Sequence, residues 1–247
     1  MRLIAMPLRI AQPPTVRPAL TTTEQLGAAT AQETPFAFFM AIMAAIEARE
    51  PISTGRARLI ARHAVATARA LLLPTEVVDT IRLGALLANL GMINVPETIL
   101  HNSEKLRDEE RATIRQHPIL GAELLATVPQ MRGILPLILH HHEDWQGGGY
   151  PHGLCGDAIP LGARIIRVCE TYDALTSVRA YRGAFAPGEA LALLANGAGK
   201  EFDPRIVEAF TARLRRNLAI HDELLDHWND LQQQARVWKI VANIATA

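Results

Sequence analysis

Residues 140–153 read His-His-His-Glu-Asp-Trp-Gln-Gly-Gly-Gly-Tyr-Pro-His-Gly, setting adjacent imidazoles and a carboxylate against a glycine-rich turn closed by Tyr150 and Pro151. Imidazole is the commonest metal ligand in proteins, and glycines remove Cβ atoms where a backbone turns sharply or approaches a ligand closely. Metal or phosphate chemistry is therefore the first reading. Each residue also has a plainer one. His141 and His142 alone read as polar residues at a helix end, and Gly147 and Gly149 as a tight turn. Tyr150 either contacts a ligand or partner or packs under its own loop. Glu143 either orients a ligand histidine or accepts backbone donors in the turn. His140 and His152 read as structural or exposed, as do His63, His101, His221 and His227.

The segments that must position these groups read as helices. Thr34 offers a cap with Pro35 in the first turn and strong helix formers over 36–49. Helical patterning continues over 53–72, 75–90, 108–116, 118–126, 131–142, 161–177, 187–195 and 204–214. Alternating β-branched runs bounded by turns are missing, so the fold class is all-α. Residues 1–33 are rich in Pro, Thr, Ala and Gln and suggest a flexible arm. The domain proper is expected over 34–215, and 216–247 reads as a C-terminal helical extension. Leu224, Leu225, Trp228, Leu231, Val237 and Ile240 there suit a packing helix or the seam of a homodimer.

At 247 residues, 49% hydrophobic and 20% charged, the chain can bury a full core. Lys plus Arg and Asp plus Glu balance at 25 each, which gives no support to broad adhesion to nucleic acid or anionic membranes. Any anion site must be local. The two cysteines, Cys155 and Cys169, make no disulfide framework and fit a reducing cytoplasm. The greasiest stretch, 36–46, is too short to span a bilayer, and prolines interrupt the N-terminal residues where a secretory core would lie. A soluble protein is expected, with any regulatory input arriving through a partner.

With His117, the His141-His142-Glu143 triplet, the 147–151 turn and the downstream run GARIIRVCETYDALTSVRAYR, the chain resembles the HD-GYP family, a subset of the HD phosphohydrolase superfamily. The likeness runs from about residue 44 to 210. It implies an HD-domain-like helical bundle with the GYP extension on its C-terminal side, holding two or three metals, usually iron or manganese. Such domains hydrolyse cyclic di-GMP to pGpG or GMP. The resemblance assigns His117, His141, His142 and Glu170 as metal ligands, Tyr150 as a nucleotide contact, and Arg179 and Arg182 as phosphate contacts. Glu143, Asp173, Gly147, Gly149 and Pro151 are supporting positions. Asp173 either braces Glu170 or forms a buried ion pair.

The departures from that pattern are chemical. Arg56 stands where the family has an early histidine ligand, and Ala88-Asn89 where it has the His-Asp dyad. Met92 replaces a lysine, Gln146 the aspartate of the GYP element, and Glu170 the later ligand aspartate. A two-metal phosphoesterase needs a bridging carboxylate to hold its ions about 3.5–4 Å apart. Asn89 is neutral, Ala88 has no ligand atom, and a guanidinium cannot donate a lone pair to a metal. If Arg56 points into the cavity, it stands in for part of the missing charge and holds a phosphate. One divalent ion (Fe, Mn or Zn) on three imidazoles and Glu170, or none, is the expected cofactor state. The first expectation is thus a degenerate, weakly active or inactive phosphodiesterase serving as a nucleotide-binding or interaction module in bacterial cyclic di-GMP signalling. Two alternatives stay open: an active one-metal phosphodiesterase, and a structural adaptor docking a diguanylate cyclase through the GYP loop.

Overall fold

The computed structural model describes residues 33–49, 55–100, 102, 104–177 and 183–216, with side chains from Met40 onward. Among these residues every regular element is helical, and the one β-bridge joins Ala198 to Phe202. The helices are α1 (Glu33–Ala48), α2 (Arg56–Ala70), α3 (Thr75–Leu87), α4 (Glu97–Leu100), α5 (Asp108–Arg115), α6 (His117–Ala126), α7 (Leu135–His140), α8 (Leu161–Thr176), α9 (Pro187–Gly197) and α10 (204–216). Short 3-10 turns cover Leu90–Asn94, Pro129–Ile134 and Gly156–Ala158. The extension expected over 216–247, the N-terminal arm, His101, His221, His227, Arg179 and Arg182 lie outside the described residues, Glu33 and Arg216 apart.

Several expected helix bounds differ. Helix α1 starts at Glu33 rather than after Thr34, within the usual latitude of helix ends. The helix expected to run to Leu90 stops at Leu87, and the chain tightens into the Leu90–Asn94 turn. The stretch expected as one helix over 131–142 is a 3-10 turn, then α7, then an irregular end from His141. Pro136 explains the break: it supplies no N–H and is tolerated only in the first turn of α7.

Two apolar clusters hold the bundle. One joins α2, α3, α8, α9 and α10 through Ile60, Ile81, Ile165, Ile166, Leu194, Ile206 and Phe210. The other packs Met43, Leu87, Leu90, Leu125, Met131, Ile134 and Ile138. Burying each such large aliphatic side chain contributes roughly 1.5–3 kcal/mol relative to exposure. Helix α8 serves both the core and the site. Its Ile165, Ile166, Val168, Cys169 and Tyr172 are buried, while Arg167, Glu170, Thr171 and Ala174 line a cleft. Spacings of three and four residues put those four on one face of the helix. Ala88 is a core residue, and Cys169, also in the core, has its thiol pushed up to about 12 by burial. No helix among the described residues is long and apolar enough to cross a membrane.

Candidate metal centre and cleft

His117 is the first residue of α6, and His141 and His142 follow the last residue of α7. Gly91 lies against the backbone carbonyl of His117 and the amide of Gly121, so any Cβ at position 91 collides with backbone. That close approach brings the Leu90–Asn94 turn, and Asn89 before it, up to the histidines. Helix α8 supplies Glu170 from the other side.

The three imidazoles converge. Nδ1 of His117 donates to the carbonyl of Ile114 at 2.8 Å, and Nδ1 of His141 to that of Ile138 at 2.6 Å. Both Nε2 atoms therefore carry lone pairs, and they face each other at 3.1 Å. Neither can donate to the other, so the contact is repulsive unless a cation lies between. The ring of His142 sits 4.2 Å from that of His141 and 5.0 Å from that of His117. Ligand nitrogens of all three lie within 4.8 Å of one another. Oε2 of Glu170 is 4.0 Å from Nε2 of His141 and 3.9 Å from Nε2 of His142. That oxygen is buried without a hydrogen-bond partner. Imidazole nitrogens sharing one ion at about 2.0–2.1 Å stand about 3 Å apart, which the His117–His141 spacing matches. The donor set fits one divalent ion, and when bound such an ion would supply Lewis acidity and acidify a coordinated water.

Burial sets the charge state of the cluster. It holds the His117 imidazole down to about 4, with the His141 charge adding to the effect, and lowers His141 and His142 in the same sense. These rings are neutral at pH 7, the form that ligates metal. Burial alone would raise the Glu170 carboxyl, but His141 and the Asn89 amide outweigh it and keep Glu170 below the ordinary range.

Beside the histidines, two further polar contacts tie Asn89 and Arg56 to carboxylates of α8. Asn89 Nδ2 donates to Oε1 of Glu170 at 2.7 Å. Arg56 donates through Nε to Oδ2 of Asp173 at 2.7 Å, and its Nη2 lies 2.6 Å from the same oxygen. Arg56 does line the cleft, yet it is committed to a carboxylate that is 1% exposed. Asp173 thus pairs across to α2 and does not contact Glu170. Met92 also lines the cleft, while Gln146 is exposed and touches Lys200 through its backbone.

The glycine-rich loop forms a tight turn. Gly147 has φ 88, and a Cβ on Gly149 would collide with the backbone of His142, Glu143 and Asp144. The Tyr150–Pro151 peptide is cis. Glu143 accepts the backbone N–H groups of His152 and Leu154 at 2.8 and 3.1 Å and makes no hydrogen bond to His141 or His142. Tyr150 stacks on His142 with centroids 4.8 Å apart, and the Arg115 guanidinium lies 5.2 Å from its ring.

Sequence reasoning missed Arg167 and Glu47. Arg167 binds Asp144 at 2.8 Å and lines the cleft one helical turn before Glu170, a spacing that carried the signal. Glu47 accepts from the N–H groups of Gly55 and Ala57 at 2.8 and 3.0 Å, tying α1 to the start of α2. The cleft itself has a volume of about 440 Å³. That lies within the range of small-ligand sites.

A family model described as HD domain matches residues 41–206. The chain belongs to the HD domain family. Its HD domain is 37% identical over 150 residues to a cyclic di-GMP phosphodiesterase of Vibrio cholerae, covering 58% of this chain and 30% of the relative. It is 42% identical over 137 residues to the cyclic di-GMP phosphodiesterase response regulator RpfG of Xanthomonas campestris pv. campestris, covering 54% and 36%. The chain spans about a third of the length of these curated relatives. Among solved structures, the HD domain resembles a cyclic GMP-AMP specific phosphodiesterase of V. cholerae with TM-score 0.58 at 17% identity, covering 72% of this chain and 48% of the other. An HDG"Y"P protein of Bdellovibrio bacteriovorus, Bd1817, matches with TM-score 0.53 at 21% identity, covering 64% and 50%. These likenesses establish the all-helical HD fold.

Proposed function

We propose that this HD domain binds cyclic di-GMP in the cleft beside the histidine cluster and has little or no power to hydrolyse it. The reading of the ligand rests on the relatives named cyclic di-GMP phosphodiesterases and on the retained GYP turn. The reading of inactivity rests on one observation, the Asn89–Glu170 hydrogen bond at 2.7 Å. In a two-ion site the residue at position 89 would share cations with its neighbours. Here an amide hydrogen-bonds Oε1 of Glu170 directly, and Arg56 neutralises Asp173 as a fixed cation. Without a second ion to neutralise the transferring phosphate, the transition state loses its main stabilisation. The ring of Tyr150 and the guanidiniums of Arg115 and Arg167 then serve binding rather than bond cleavage.

The test is incubation of the purified chain with cyclic di-GMP and Mn2+, paired with calorimetry. Binding without pGpG is the expected result, and rapid pGpG formation overturns the proposal. The three converging histidines favour one second reading, in which a single ion at His117, His141, His142 and Glu170 sustains slow hydrolysis. It requires that His141→Ala remove both the metal and the turnover.

A further inference from the structure

On the outer side of the loop a different cluster assembles. His140 ends α7, His152 follows Pro151, and Glu143 lies between them. One ligand atom from each lies within 4.8 Å of the others, and the two rings are 5.2 Å apart. Glu143 is 2% exposed, and among the described residues no lysine or arginine lies within ion-pair distance of it. Its side-chain contact is His140 Nδ1 at 3.4 Å, longer than a well-made N–H···O bond of about 2.7–3.2 Å. A buried carboxylate needs a cationic or hydrogen-bonding partner to offset its desolvation. Two backbone N–H groups provide part of this, and about four lone-pair positions on the carboxylate leave room for a further ligand contact. Two imidazoles and one carboxylate, with an exposed side for water, form a recurrent zinc donor set.

We propose that His140, Glu143 and His152 bind a second divalent ion of the zinc class, independent of the central three-histidine cluster. The ion would link the end of α7 to the loop carrying Tyr150, and so stiffen the wall of the cleft. His152 is exposed, so its replacement does not disturb packing.

The experiment is titration of the full, untagged chain with Zn2+ against a chromophoric chelator, comparing wild type with His152→Gln and His140→Gln. Both variants are expected to bind one zinc equivalent fewer, or to hold it at least tenfold more weakly, and His152→Gln to do so with an unchanged unfolding midpoint in chelator. Equal zinc stoichiometry and affinity in wild type and His152→Gln overturn the proposal. Nucleotide binding is not read in this titration, so its failure and the failure of the cyclic di-GMP reading are separable.

Discussion

Replacing Asn89 by aspartate sets a carboxylate, at nearly constant volume, where the amide nitrogen stands 2.7 Å from Oε1 of Glu170. At an effective dielectric of about 20, two full charges at that distance repel by ~6 kcal/mol. Protonating one carboxyl is cheaper over most of the accessible range. Its cost is ~1.4 kcal/mol for each pH unit above an ordinary value near 4.3, so ~1 kcal/mol at pH 5 and ~5 kcal/mol at pH 8. The sign follows from linkage: one folded-state carboxyl is raised above its unfolded value, the native state binds the extra proton, and stability falls as pH rises. Urea unfolding in the presence of chelator, at pH 5 and pH 8, reads the difference from wild type. Mn2+ should restore the variant more than it stabilises wild type, because a cation between the carboxylates removes the repulsion. A destabilisation equal at both pH values would refute the contact between residues 89 and 170, and with it the argument from Asn89.

Removing Arg56 as Arg56→Met leaves Asp173 buried without its cation and should cost about 3–5 kcal/mol of stability. The double variant with Asp173→Asn should recover most of that loss in the same denaturant assay, and strict additivity would show that the pair is not coupled. His63 is held down to about 4 by burial, then by Arg213 and Arg62. Its contribution is present above pH 6.5 and is lost as pH falls toward 4, at less than about 1.4 kcal/mol per pH unit given its partial exposure. Unfolding free energies across that window should vary less steeply in His63→Gln, and an unchanged slope counts against the neutral buried ring.

The helical class, the positions of most helices and the adjacent His141–His142 pair were legible because each rests on short-range pattern, whereas His117 and Glu170 entered as ligand candidates through the family resemblance. Ala- and Leu-rich amphipathic periodicity specifies helix within a dozen residues, and the 140–153 stretch carries its own chemistry in its residue types. The end of α3 was less legible, since the turn after Leu87 is set by the fit of Gly91 against α6, a contact between distant residues. Glu143 had two readings in sequence, and the loop closing back on it at His152 and Leu154 selected one. Arg56 reads in sequence as a candidate phosphate contact, but nothing local joins it to Asp173, 117 positions away.

The amino-acid order thus determined which side chains are available and which helices carry them. Tertiary structure alone decided their pairing: Asn89 with Glu170, Arg56 with Asp173, and two imidazole lone pairs set face to face. The physical reason is that hydrogen bonds and ion pairs reach only a few ångströms, so partners remote in sequence are chosen by how α2, α3, α6, α7 and α8 pack. Periodicity aims a side chain at the core, and only the packed core fixes what it meets.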